Sequence, residues 1–151
     1  GAKIVLDSKS FSLDDIFDLS PWLIKPNQEV ISEYLNCPIN TIQEAIEKAR
    51  IFAQHGVTNV MVSLGEQGAM LLQGDTCHIS TPPVIKAIST IGAGDSSLAG
   101  FIAAAQKGED AAGCLKNAVT YGTAACLTEG SLPPTAEDIA AIYPQVQVKQ
   151  F

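Results

Sequence analysis

Arginine is nearly absent: Arg50 is the only one in 151 residues, and lysine brings the basic total to nine against sixteen acids. The net charge of −7 and a pI near 4.6 exclude general attraction to nucleic acid or an anionic membrane surface. No apolar run reaches 18 residues, which excludes a membrane-spanning helix. No basic segment followed by an apolar one opens the chain, so no secretory leader is read and a cytoplasmic protein is expected. Histidine is scarce as well, with two (His55 and His78), and the four cysteines form no C-x-x-C pair. Zinc sites need paired ligands at short spacing, so a metal cluster is not expected. A disulfide framework is equally unsupported, and buried reduced thiols are the simpler reading.

Two nucleotide-binding signatures are also missing. No glycine is followed by Lys and then Ser or Thr, so there is no P-loop. The dinucleotide pattern G-x-G-x-x-G fails at its third glycine, where Ser97 stands.

What is present is apolar: 46% hydrophobic residues, 17% charged and a mean hydropathy of +0.19 describe a folded globular chain. Its length fits about one domain, burying roughly 68–70% of the unfolded surface. The chain opens Gly1-Ala2-Lys3 directly into a β-branched run without methionine. That reads either as a trimmed intact protein or as a domain cut from something longer.

Residues 3–7 (KIVLD) read as a buried parallel strand. Ser12 caps a short acidic helix over 13–19, which Pro21 ends. Residues 22–25 read as a second strand, and Asn27 caps a helix to about Leu35. Thr41 and Glu44 form a capping box, with apolar residues at helical spacing through Ala53 and a stop at Gly56. Residues 59–64 (NVMVSL) are the strongest strand, and 69–73 with 76–80 around Gly74-Asp75 read as a hairpin. Helices are expected over 96–106, from Glu109 or Asp110 to about Leu127, and over 135–142. The alternation predicts an α/β fold in three layers, with a mainly parallel sheet and an antiparallel edge hairpin.

Chemistry concentrates at residues 89–101, which read STIGAGDSSLAGF. Gly92 and Gly94 let backbone amides converge where a helix begins, which makes an anion site. Asp95 is the unexpected member, because a carboxylate in an anion hole repels a bound phosphate. Its natural use is to take a proton from a hydroxyl that attacks that phosphate. The competing reading is that Asp95 caps the helix and the glycines serve only a tight turn.

This segment resembles the second signature of the ribokinase-like (PfkB) carbohydrate kinases. Ile24-Lys25-Pro26-Asn27 and Val62-Ser63-Leu64-Gly65-Glu66-Gln67-Gly68 resemble two further family motifs in order and spacing. The resemblance implies a ribokinase-like sandwich that binds ATP with Mg2+ and phosphorylates a sugar hydroxyl. It implies that Asp95 is the general base and that the amides of Gly92, Ala93 and Gly94 hold the transferring phosphoryl group. Ser63, Gly65 and Gly68 match the nucleotide-binding turn, Lys25 and Asn27 the segment near the phosphates, and Asn117 the position beside the adenine. Taken alone, Lys25 also reads as an exposed strand-end charge, Asn27 as a helix cap and Asn117 as a half-buried polar residue.

Ser89-Thr90, where many relatives carry Asp-Thr, together with Leu6-Asp7-Ser8, is similar to the phosphosugar branch, which holds 1-phosphofructokinase and tagatose-6-phosphate kinase. The expected acceptor is then a sugar phosphate such as fructose 1-phosphate. Two departures stand out. The family's N-x-x-E pattern places Glu at position 30, where this chain has Val30; Glu29, Glu33 or water would have to serve, and no direct metal ligand is expected. Residues 1–151 are expected to be the C-terminal, nucleotide-binding part of such a kinase, without its N-terminal sugar-binding part and lid. A chain with one arginine and scattered lysines lacks the bidentate cluster that usually grips a phosphosugar. This part alone is therefore expected to be inactive. The oligomeric state is left open by the residues; the resemblance, through the family's lid, implies pairing of the parent as a homodimer. A nicotinamide-dependent enzyme on the same layers and a non-catalytic regulatory module, favoured by Val30, are the rival readings.

Overall fold

A computed structural model describes residues 1–151. Six strands form a mixed sheet in chain order, β1 to β6. The chain divides into two compact units, Gly1–Leu64 with Met70–Cys77, and Gly65–Ala69 with His78–Phe151.

In the first unit, β1 (Val5–Leu6), β2 (Leu23–Ile24) and β3 (Asn59–Ser63) run parallel, with Val5 opposite Leu23 and Ile24 opposite Val60. Helix α1 (Leu13–Leu19) lies between β1 and β2 in the chain, while α2 (Gln28–Leu35) and α3 (Ile42–Gln54) lie between β2 and β3. Their starts follow the capping logic: the Asp15 N–H donates to Ser12, the Val30 N–H to Asn27 and the Glu44 N–H to Thr41. At Ser12 and Thr41 the capping box is complete. Leu23, Ile31, Ala45, Ala49, Phe52 and Val60 are fully buried and make the core. Phe52 meets the rings of Phe17 and Tyr34 edge-on at 5.9 and 6.3 Å. Asn59 is buried inside the sheet because both ends of its amide are satisfied: it donates to Trp22 O at 2.9 Å and accepts from Gln73 Nε2 at 2.8 Å.

In the second unit, α4 (Ala93–Gln106) packs on α5 (Ala111–Ala125), followed by α6 (Ala136–Ile142). The α4–α5 contact depends on Gly100, where a Cβ would lie 2.6 Å from Asn117 O and 2.8 Å from the Tyr121 ring. Phe101, Leu115 and Ala118 fill the buried side.

The hairpin strands are β4 (Ala69–Gln73) and β5 (Thr76–Thr81). Two features depart from the sequence reading. Helix α4 begins at Ala93, three residues before Ser96, because Gly92 at φ +79° is its N-cap. Gly94 in the first turn does not break the helix, since N–H groups there need no intrahelical acceptor. The antiparallel part also gains β6 (Gln147–Gln150), paired to β5 with Ser80 opposite Val148. Its sequence, QVKQ, is nearly all polar, so only the pairing reveals it.

Candidate functional site

The parallel strands of the first unit end on polar residues. Asp7 follows β1, Lys25 follows β2 and Ser63 closes β3, all at the carboxyl edge where open α/β sheets place ligands. The segment 25–27 is tied to that edge: Lys25 N–H donates to Leu6 O at 3.4 Å, Ser63 N–H donates to Pro26 O at 3.1 Å, and Asn27 bridges to Ser63. A pocket of about 220 Å³ opens there, lined by Asp7, Lys25, Asn27, Val30, Tyr34 and Ser63 among others.

Lys25 is not the exposed strand-end charge that its sequence position allows. Its side chain is 12% exposed and its ammonium lies 3.4 Å from Asp7 Oδ1. An ammonium this far out of water needs a counter-charge, and Asp7 supplies it. Asp7 was not singled out from the sequence as a site residue; its place one step beyond β1 was the available signal. Asn27 Oδ1 accepts from Val30 N–H at 2.8 Å, so its cap duty is real and its NH2 group is left for a ligand. Val30 is 8% exposed and lines the pocket. Glu29 and Glu33 are exposed and do not line it, so neither takes the place of a carboxylate at position 30.

In the second unit, residues 65–67 form a 3-10 turn closed by Gly68 N–H to Gly65 O at 3.1 Å. The two glycines are required for different reasons. At Gly68 (φ +98°) a Cβ would sit 1.9 Å from Ser80 O, so only glycine fits. Gly65 (φ +60°) faces open space, so its constraint is conformational.

The start of α4 is an open set of donors. Gly92 supplies no side-chain cap; Ser96 N–H bonds back to Gly92 O at 2.9 Å and Ala93 N–H reaches Thr90 O at 3.3 Å. The N–H groups of Gly92, Gly94 and Asp95 have no acceptor within the chain, so Ala93 is the weakest of the four as an anion donor. Asp95 sits in the first turn, exposed, and makes no capping hydrogen bond. The capping explanation for Asp95 therefore fails: Gly92 occupies the cap, and the carboxylate faces solvent beside open amides. The entering strap is held by Ile88 N–H to Cys126 O at 2.8 Å and by Ile91 N–H to Ser89 Oγ at 3.2 Å. Asn117, half-buried on α5, donates to Glu109 Oε2 at 3.2 Å and to Gly113 O at 2.9 Å, leaving its carbonyl oxygen unused.

The first unit thus carries a pocket at its parallel edge with a largely enclosed lysine, and the second a glycine turn and a helix start that sets free amides beside a carboxylate. The model of the pfkB family carbohydrate kinases matches residues 2–138, and the chain belongs to that family. The 1-phosphofructokinase of Borreliella burgdorferi is 32% identical over 150 residues, covering 99% of this chain and 48% of that protein. The 1-phosphofructokinase of Rhodobacter capsulatus is 34% identical over 149 residues, covering 99% and 47%. The structure of phosphofructokinase-2 from Escherichia coli in complex with substrates and products superposes with a TM-score of 0.87 at 27% identity, covering 94% of this chain and 47% of that one. Ribokinase from Thermotoga maritima, at 21% identity and a TM-score of 0.78, shares the fold. The chain spans about half the length of the curated relatives it matches, corresponding to their C-terminal half. No helix is long and apolar enough to cross a membrane.

Proposed function

We propose that the protein carrying this chain transfers the γ-phosphoryl group of ATP to a hydroxyl of a sugar phosphate, converting fructose 1-phosphate to fructose 1,6-bisphosphate. The start of α4 carries this reading: free amides at a left-handed glycine cap, with an exposed carboxylate that has no structural bond to make. The amides of Gly92 and Gly94, with Ala93 as a weaker partner, hold the transferring phosphoryl oxygens. The hydroxyl proton passes to Asp95 as the hydroxyl oxygen bonds the γ-phosphorus. The bond from that phosphorus to the β-bridging oxygen breaks, and ADP leaves. Resemblance to the family's motifs assigns Lys25 and Asn27 to the phosphates, Ser63 with Gly65 and Gly68 to the nucleotide, and Asn117, whose carbonyl oxygen is unused, to the adenine.

No cluster of three or more acidic, histidine or cysteine side chains is present, and Val30 puts an apolar group on the pocket wall. Mg2+ would be carried on the nucleotide phosphates, and Asn27 would reach it only through water, because its Oδ1 already accepts from Val30 N–H. There it would neutralise phosphate charge.

We assign the N-terminal sugar-binding part and lid of the parent to residues outside this stretch, so that the 151 residues alone position no acceptor and turn over little. A cytoplasmic homodimer completes the reading, checked by light scattering on the parent. The test is Asp95→Asn in the full-length protein with fructose 1-phosphate and tagatose 6-phosphate as rival acceptors. Turnover should fall at least about 10²-fold with ATP affinity nearly unchanged. Unaltered turnover overturns the proposal, and preference for tagatose 6-phosphate reassigns the acceptor.

A further inference from the structure

Three charged residues line the pocket at the parallel edge: Asp7, Lys9 and Lys25. Asp7 and Lys25 are paired at 3.4 Å and largely cancel one another. Lys9 is exposed and makes no ion pair, so the pocket's uncompensated charge is the single positive charge of Lys9, in a chain whose net charge is −7. Its loop is anchored as well. Ser10 N–H bonds back to Ser8 Oγ at 3.1 Å, and the Tyr34 hydroxyl donates to Phe11 O at 3.1 Å, with Ser8 O at 3.4 Å. The backbone on both sides of Lys9 is therefore held against α2, which lowers the entropy lost when its side chain engages a ligand. On the same pocket wall stands Val30, so no second carboxylate competes for the lysine.

We propose that Lys9 is a further phosphate-contact residue, bringing the pocket's uncompensated positive charge to an oligophosphate tail. The inference rests on the nucleotide reading above and adds to it a cation outside the three motifs. A lysine suits this place because a mobile point charge follows a phosphate tail without the fixed fork geometry of arginine.

The test is calorimetric titration of the full-length protein with inorganic tripolyphosphate, without metal, at two salt concentrations. Lys9→Gln should weaken binding roughly three- to tenfold and flatten its salt dependence, and Lys9→Arg should stay within about twofold. Lys48→Gln on α3 removes the same charge away from the pocket and should change nothing. Equal affinity of Lys9→Gln and the unsubstituted protein, an equal loss in Lys48→Gln, or no tripolyphosphate binding at all overturns the proposal. Phosphotransfer that depends on Asp95 while tripolyphosphate binding ignores Lys9 sinks this inference alone. Binding that depends on Lys9 without any phosphotransfer sinks the kinase reading and leaves an anion site.

Discussion

The ammonium of Lys25 lies 3.4 Å from the carboxylate of Asp7, and the two residues follow neighbouring parallel strands that pair Val5 with Leu23 and Leu6 with Ile24. Strand register therefore sets the pair, although 16 residues lie between β1 and β2 along the chain. Lys25 is the more enclosed partner, at 12% exposure against 32% for Asp7. Removing Asp7 leaves a mostly buried charge without compensation, whereas removing Lys25 leaves a carboxylate that water still reaches. Asp7→Ala should lower stability by about 1–3 kcal/mol, below the 3–5 kcal/mol of a fully buried pair because Asp7 is partly solvated. Asp7→Ala with Lys25→Met should recover part of that loss. Urea unfolding measures both, and an unmoved midpoint in Asp7→Ala would show that the pair carries no stability.

Asp95→Asn should leave unfolding free energy within about 0.5 kcal/mol, because the side chain is exposed and caps nothing. Asp110→Ala is the contrast: Asp110 Oδ1 accepts from Gly113 N–H at 2.8 Å at the start of α5. It should lose about 1 kcal/mol. Similar losses for the two would return Asp95 to a structural role.

The two glycines of the 65–68 turn should separate in a thermal melt. Gly68→Ala combines φ +98° with a backbone oxygen 1.9 Å from the new Cβ, which forces β5 to move. A loss above about 2 kcal/mol follows. Gly65→Ala pays conformational strain alone, about 1–2 kcal/mol, since nothing lies within 4 Å. The reverse order of melting temperatures would refute the close approach to Ser80.

Burial pushes the thiols of Cys77, Cys114 and Cys126 above the ordinary thiol value, and at Cys114 the carboxylates of Glu109 and Asp110 add to it. A raised folded value means that the neutral thiol is favoured in the native state. The linked stability is complete below the unfolded thiol's titration and is lost as pH rises through the higher folded values. Chemical denaturation should therefore show stability falling on the alkaline side of the ordinary thiol range. Iodoacetamide should label these three cysteines slowly until the protein unfolds. Rapid labelling of Cys77 at neutral pH would contradict its burial.

Much of the fold was legible locally. Ser12, Asn27, Thr41, Asp110 and Thr135 each cap the helix that follows, because a cap is a bond between residues three apart and leaves its mark in the chain. The second signature of the family was equally legible, since Gly92, Gly94 and Asp95 lie within one helical turn. Less visible was the start of α4, where the sequence shows two glycines but not that Gly92 turns left-handed and frees the amides.

Residues 24–27, 62–68 and 89–101 were enough to place the chain among the PfkB kinases, because each motif is a short stretch of backbone whose chemistry is set by its own residues. The partnership of Asp7 with Lys25, the enclosure of that lysine side chain and the pocket that Lys9 shares with Val30 came only from folding. They depend on which strands lie side by side, and pairing between distant strands is written in no local pattern. The same holds for β6, four mostly polar residues that become a strand because β5 offers them an edge.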